Sequence, residues 1–182
     1  MILEIEQKYL IKSLPHNIDD YEHREIIQGY ISFDPVLRIR KVYENFIFTF
    51  KARYDNVKGS RESVRVCDEF ERNITREAFE HLLKKCDGSI IEKRRYVIPL
   101  DKDIVGVDGL KAEVDVFGGL FEGLSFVEVE FNNISECEAF IKPDWFGENV
   151  SDDEKYNNNF IATITSRNEF LSLFNLNGGK SV

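Results

Sequence analysis

Charged side chains recur at two-residue spacing inside otherwise apolar segments of this chain. The first case is Glu4, Glu6 and Lys8, which are separated by Ile5 and Gln7. In an extended strand, residues two apart point to the same side, so these three charges share one face. Six further pairs have the same spacing: Arg38 and Arg40, Lys51 and Arg53, Glu69 and Glu71, Lys93 and Arg95, Glu113 and Asp115, and Glu128 and Glu130. The pattern predicts seven strands, each with one apolar and one ionic side.

The signs of these charges favour an enclosed ionic surface. One such pair alone is typical of a half-buried sheet whose polar side meets water. Here, after the first strand, every pair is purely acidic or purely basic. Strands with segregated signs suit a closed barrel that has an ionic lumen and helices packed outside.

Length, charge and cysteine content narrow the class of protein. The 182 residues contain no long Pro, Gly or Ser-rich linker, so we predict a single domain over residues 1–182. The formal net charge of −9 argues against a specific nucleic-acid-binding surface. Cys67, Cys86 and Cys137 are odd in number and widely spaced, which indicates neither a disulfide framework nor a zinc site. With no signal-peptide pattern and no apolar run of about 18 residues, we expect a cytoplasmic protein without a membrane partner.

Helical periodicity is clearest from Thr75 to Asp87, where Thr75 is a good N-cap and Gly88 follows as a terminator. This helix is expected to pack on the barrel exterior. Shorter helices are expected over Ser135–Lys142 and Asn168–Leu176.

Four carboxylates on two of the strands predict a metal site. Glu4, Glu6, Glu128 and Glu130 offer the oxygen ligands that Mg²⁺ or Mn²⁺ prefers. The alternative is a set of buried salt bridges to neighbouring arginines. Some cation must be present in either case, because unpaired carboxylates in a closed lumen are strongly destabilising.

The segment E-I-E-Q-K, at residues 4–8, is similar to the E-x-E-x-K signature of the CYTH family, also called the triphosphate tunnel metalloenzymes. The similarity continues in order through Q-G-Y-I, L-R-I-R, F-T-F-K, E-F-E, I-E-K-R-R-Y, A-E-V-D-V-F-G-G, G-L-S-F-V-E-V-E-F, W-F-G-E-N-V-S-D-D and K-Y-N-N-N. It covers the chain from Glu4 to about residue 162. Gln7 and Tyr9 depart from the family's commonest pattern, and neither is an acidic residue of the lumen.

We therefore predict an α+β fold built on a closed antiparallel eight-stranded β-barrel, or tunnel, with a charged lumen and helices packed outside. The resemblance implies that Lys8 and Tyr30 handle the attacking water, although Tyr30 alone could be an ordinary strand aromatic. It also implies that a basic cluster grips a linear triphosphate: Lys8, Arg38, Arg40, Lys51, Arg53, Lys93, Arg95 and, at the tunnel mouth, Lys155. Further acidic residues of the lumen would be Glu69, Glu71, Glu113, Asp115 and Asp153.

Metal-dependent hydrolysis of inorganic triphosphate, with possible action on nucleoside triphosphates, is the function that this resemblance favours. A class IV adenylate cyclase would share the same tunnel, but no purine pocket can be identified in the sequence. Thiamine triphosphate hydrolysis and a non-catalytic polyphosphate- or nucleotide-binding module stay open as alternatives. The acidic set argues against pure anion binding. The partner is expected to be a small-molecule triphosphate, and the protein a monomer or homodimer.

Overall fold

One antiparallel sheet organises the fold. The computed structural model describes residues 2–3, 5–53 and 67–176. The strands in these ranges are β1 (Ile2–Leu3), β2 (Ile5–Ile11), β3 (Glu22–Phe33), β4 (Val36–Val42), β5 (Asn45–Arg53), β6 (Cys67–Asn73), β7 (Asp87–Pro99), β8 (Lys111–Phe117), β9 (Ser125–Phe131) and β10 (Phe146–Asn149). The α-helices are α1 (Arg76–Leu83), α2 (Lys102–Val105), α3 (Ile134–Ala139), α4 (Asn158–Thr163) and α5 (Arg167–Leu173). Short 3₁₀ helices span Ile18–Asp20, Gly119–Phe121 and Glu154–Tyr156.

The strand order is β1-β6-β5-β4-β3-β7-β8-β9-β2-β10, and every pairing is antiparallel. The predicted α+β class with an antiparallel sheet is confirmed. The predicted count of eight strands is wrong, since ten lie in the described ranges, and the order there has two ends rather than closing on itself. The charged pairs alone could not give the count, because β1 and β10 are short and, like β3, carry none of those pairs.

The strand registers place the alternating charges side by side. Glu6 lies opposite Glu130 and Lys8 opposite Glu128 across the β2–β9 pair. Farther along the strand order, Arg38 of β4 lies opposite Tyr30 of β3. Because side chains alternate between faces, one face of the sheet collects the charges over many strands.

Helices pack against the apolar clusters of the sheet. As predicted, α1 packs on the outer face, where Phe79 joins Ile39 and Phe46 in one apolar cluster. The prediction that all helices pack outside is incomplete. Ile161 of α4 and Phe170 of α5 pack in one cluster with the side chains at the end of the polar face: Tyr30, Ile91, Phe117 and Phe126. The last three lie two residues from Lys93, Asp115 and Glu128 respectively, so the polar face has an apolar end that these helices cover.

Helix boundaries differ from expectation mainly at C-termini. The hydroxyl of Thr75 accepts a hydrogen bond from the Ala78 amide at 3.2 Å, as an N-cap does, but α1 ends at Leu83. Gly88 instead lies within β7 with φ of +67°. A side chain there would meet the carbonyl oxygen of Ala162 at 2.1 Å, so the close approach of α4 requires glycine. α3 and α5 also end sooner than expected, at Ala139 and Leu173.

Candidate active site

A cavity of about 1020 Å³ lies against the charged face of the sheet. Most of the residues that the sequence singled out line it: Glu6, Lys8, Tyr30, Arg38, Arg40, Lys51, Glu71, Lys93, Arg95, Glu113, Glu128 and Glu130. They come from eight strands, β2 to β9, and the two-residue alternation brings them to one surface.

One wall of the cavity, on β4 and β5, is cationic. Arg38 and Arg40 donate to Oε1 of Glu71 at 3.4 and 3.1 Å. The Thr49 hydroxyl also donates to this oxygen, at 2.8 Å, and accepts from Arg38 at 3.2 Å. With Lys51, this wall presents three basic side chains to the cavity. Basic side chains that line a concave surface attract a polyanion.

The opposite wall is an electrically balanced network of six charges. Lys93 donates to Asp115 at 2.5 Å, and Arg95 donates to both oxygens of Asp115 at 2.7 Å. Arg95 also contacts Glu128 at 2.5 Å and forms an ion pair with Glu113. Lys8 completes the set through Glu128, at 2.8 Å. Three cations therefore meet three carboxylates, and Asp115 is fully buried beneath the cavity.

Burial and pairing together set the protonation of this network. Burial would raise the pKa of Asp115, but Arg95 and Lys93 outweigh it and hold that pKa below its usual value. Burial likewise opposes ionisation of Glu128, yet Lys8 and Arg95 hold its pKa well below the usual range. Burial lowers the pKa of Lys93 to about 8, against the opposing effect of Asp115. Both carboxylates are therefore ionised at neutral pH.

Lys8 is fixed by groups from the other end of the chain. Its ammonium donates to the carbonyl of Tyr156 at 2.9 Å, in addition to the ion pair with Glu128. Its backbone amide donates to the Ser151 hydroxyl at 2.8 Å. The ammonium also lies 4.4 Å from the centre of the Phe126 ring. These contacts hold the side chain in one position.

Tyr30 presents a neutral phenol to the cavity. Burial raises its pKa to about 12, although Arg38, Lys51 and Arg40 act in the opposite direction. The Gln28 amide donates to the phenolic oxygen at 3.0 Å. With that oxygen accepting from Gln28, the phenolic proton is available to an acceptor in the cavity.

The structure brings together only some of the carboxylates predicted to bind a metal. Glu6 and Glu130 face each other across β2 and β9, and both line the cavity. Their oxygens are the donors that a hard divalent cation prefers. Both oxygens of Glu128 contact cations of the protein, which is the arrangement that the salt-bridge alternative describes. Within the described ranges, no three His, Cys, Asp or Glu side chains are grouped so as to hold a metal, and Glu4 lies outside those ranges.

A few of the singled-out residues lie elsewhere. Lys155 pairs with Asp153 at 3.3 Å, and neither residue lines the cavity. Arg53 and Glu69 belong to β5 and β6, but their side chains fall outside the described part of the structure.

Sequence reasoning missed three buried polar residues of the site: Gln28, Thr49 and Asn157. Gln28 and Thr49 share the two-residue spacing with Tyr30 and Lys51, so the alternation could have revealed them if uncharged polar residues had been included. Asn157 stands in the K-Y-N-N-N segment, where nothing in the spacing separates it from its neighbours.

Similarity to known proteins agrees with this geometry. No family model matches the chain. It is 33% identical over 162 residues to a protein of Nitrosomonas europaea named inorganic triphosphatase, covering 87% of this chain and 96% of that one. It is 35% identical over 171 residues to a protein of the same name from Acetivibrio thermocellus, covering 91% of this chain and 96% of that one.

In the described ranges, no helix is long and apolar enough to cross a bilayer.

A solved structure extends the similarity to the fold. The crystal structure of the inorganic triphosphatase NE1496 matches with a TM-score of 0.64 and 32% identity, covering 91% of this chain and 98% of that one. Extensive identity to these relatives, the ordered motifs and the charged cavity lead to one conclusion. The chain belongs to the CYTH family, the triphosphate tunnel metalloenzymes.

Proposed function

We propose that this protein hydrolyses inorganic triphosphate to pyrophosphate and phosphate. The observation that carries the proposal is the cavity, which basic side chains of β4 and β5 and the ionic network of Lys8, Lys93 and Arg95 line together. The relatives at 33 and 35% identity are named for this activity. A chain of phosphates needs positive charge along its length and leaves little covalent chemistry to the protein.

The substrate is gripped mainly by the cationic wall. Arg38 and Arg40 present guanidinium groups, whose geometry suits phosphate oxygens, and Lys51 adds a third charge. Arg53 would extend this wall along β5. Lys93 and Arg95 are held by carboxylates, so their contribution is to the electrostatic potential and to the position of Glu128.

A divalent cation, Mg²⁺ or Mn²⁺, is part of this proposal. The predicted ligands Glu4, Glu6, Glu128 and Glu130 are the residues that would hold it. Because the described carboxylates do not form a complete site, oxygens of the substrate would contribute to the coordination. The bound ion neutralises charge on the phosphate oxygens.

The hydrolytic step needs an oriented water near Lys8 and Tyr30. The water oxygen forms a bond to the terminal phosphorus while the bridging P–O bond breaks, and its electron pair passes to the pyrophosphate that leaves. Both hydrogens of the water stay on the products. Lys8 and neutral Tyr30 are hydrogen-bond donors, so they are suited to hold phosphoryl oxygens as negative charge redistributes.

We also propose that the sheet wraps around the cavity as a closed tunnel. β1 pairs with β6 at one end of the strand order, whereas β2 pairs with β9 near the other. Leu3 and Ile5 are two residues apart in sequence, so their Cα atoms are separated by at most about 7 Å. β6 and β9 therefore flank the same N-terminal segment, which supports closure.

The test is an assay of the purified protein with Mg²⁺ and, separately, triphosphate, ATP and thiamine triphosphate. Phosphate, pyrophosphate and cyclic AMP are measured. We expect phosphate release from triphosphate that stops on addition of a chelator. Cyclic AMP from ATP would reassign the protein as a cyclase, preference for thiamine triphosphate would reassign its substrate, and no product at all would leave a binding module.

A pair of arginine variants tests the site itself. Arg38→Ala should raise KM for triphosphate about 10- to 100-fold, because a hydrogen bond between charged groups is worth about 1.5–3 kcal/mol. Arg76→Ala is the matched control, since Arg76 is exposed on α1 and outside the cavity. Equal kinetics for the two variants would contradict the proposed binding wall.

A further inference from the structure

The side chain of Asn157 does not make the hydrogen bond that is usual for an asparagine before a helix. It is the N-cap of α4, where asparagine is among the most favoured residues because its oxygen accepts from the helix backbone. Here the side chain makes no capping hydrogen bond. Its Oδ1 atom is buried and has no hydrogen-bond partner among the residues that the structure describes. The residue is only 6% exposed and lines the cavity.

The segment that carries Asn157 contacts Lys8 and shares an apolar cluster with Tyr30. The carbonyl of Tyr156, one residue earlier, accepts from the Lys8 ammonium at 2.9 Å. Ile161 and Ala162, one turn later in α4, pack in the same apolar cluster as Tyr30. Asn157 therefore lies at the end of the cavity near Lys8 and Tyr30, next to this apolar cluster.

The chemistry of this end identifies what the oxygen lacks. A buried acceptor without a donor is destabilising until a ligand provides one. Triphosphate presents acceptor oxygens, which Lys8 and Tyr30 can bind as donors. Water is the reactant that brings O–H donors, and it must direct them away from phosphorus so that its lone pair can attack.

We infer that Asn157 orients the attacking water by accepting a hydrogen bond from it through Oδ1. This inference rests on the proposed function. A neutral amide does not remove the proton; it fixes the direction of the nucleophile, as glutamine does in some GTPases. Oδ1 of the neighbouring Asn158 is also buried without a partner and lines the cavity, so it is a candidate for the second O–H of the same water.

The test compares Asn157→Leu with the matched control Asn168→Leu, whose residue is exposed on α5. For Asn157→Leu we expect kcat to fall about 10- to 100-fold, the usual result of a misplaced reactant. KM should stay within about twofold, because the amide oxygen repels rather than binds phosphate oxygens. The thermal midpoint should be unchanged or higher, because the substitution removes a buried unpaired oxygen.

Asn157→Asp supplies the conservative rescue. Its carboxylate keeps an acceptor for water, so kcat should exceed that of Asn157→Leu. The added negative charge should raise KM, since it repels the substrate. Binding of triphosphate in the presence of chelator, measured by calorimetry, provides a readout for Asn157→Leu that does not depend on turnover, and we expect it to match the unmodified protein.

Three outcomes would overturn the inference alone while the unmodified protein remains active. The first is a normal kcat in Asn157→Leu. The second is a tenfold loss of triphosphate binding, which would make Asn157 a phosphate ligand. The third is a fall in kcat together with a lower thermal midpoint, which would make its role structural. Absence of phosphate release from the unmodified protein would instead refute the proposed function.

Discussion

The ammonium of Lys8 lies 2.8 Å from Oε1 of Glu128, and the two side chains are only 3% and 9% exposed. Oε2 of the same carboxylate contacts Arg95. Glu128→Gln removes the negative charge that pairs with both Lys8 and Arg95. We therefore expect the free energy of unfolding to fall by about 3–5 kcal/mol. Urea unfolding measures this loss. A change below about 0.5 kcal/mol would show that the network adds nothing to stability.

Glu130→Gln should distinguish the role of the cavity carboxylates in activity from the role of the ionic network in stability. Glu130 is exposed and lies opposite Glu6. We expect its free energy of unfolding to change by less than about 0.5 kcal/mol, as for most surface substitutions. Phosphate release with Mg²⁺ should nevertheless fall at least about tenfold, because one carboxylate of the proposed metal site is lost. Wild-type rates at every Mg²⁺ concentration would contradict that site.

Asp115→Asn should change how stability depends on acid. The pKa of Asp115 in the folded protein lies below its ordinary value of 3.8, so the unfolded chain binds a proton more readily. Stability from this group is therefore complete above that ordinary value and is lost as pH falls through the folded-state pKa. We expect the variant to be less stable at pH 7 and the difference from the unmodified protein to shrink towards pH 2. Chemical unfolding across this range tests it, and a difference that widens in acid would reverse the sign.

Tyr30→Phe should lower kcat about tenfold, the equivalent of one lost hydrogen bond of roughly 1–1.5 kcal/mol. Because burial raises the pKa of Tyr30 to about 12, the phenol stays neutral in ordinary assay buffers. The shape of the pH–rate profile between about pH 6 and 10 should therefore be the same in both proteins. Loss of a basic limb in the variant would mean that Tyr30 ionises within that range.

Gly88→Ala should disturb the site from outside the cavity. The positive φ alone is expected to cost about 1–3 kcal/mol in a residue with a side chain. The added carbon would also displace the Ala162 carbonyl and with it α4. We expect a lower thermal midpoint and a lower kcat together. Gly119→Ala is a useful control, since Gly119 also has a positive φ, of +59°, but has open space around its Cβ and does not line the cavity.

The charge alternation predicted the polar face because strand periodicity is fixed by backbone geometry. It identified Glu6, Lys8 and Glu130 on neighbouring strands, and the register confirms that they share one face. The pairing of Lys93 and Arg95 with Asp115 could not be predicted from the sequence, because it depends on β7 lying beside β8. The sequence shows equal basic pairs on β4 and β7, whereas only the structure shows that the first pairs with Glu71 and the second with Asp115.

Helix ends and Asn157 were unpredictable for a related reason. The apolar repeat after Leu83 fits a longer α1, but the start of β7 and the approach of α4 at Gly88 end the helix earlier. Asparagine before α4 would normally be interpreted as a cap. Its diversion into the cavity depends on tertiary packing, which local propensity does not contain.

The anchoring of Lys8 by Ser151 and Tyr156 has a consequence for synthesis. The contacts join residues 143 and 148 positions apart. At about 5–20 residues per second, a ribosome takes roughly 7–30 s to make that stretch. β2 pairs with β9 and β10, so for most of this interval neither of its neighbouring strands has been synthesised. The charges of Glu6 and Lys8 then protect a nascent strand from pairing with other chains, before they take any part in an active site.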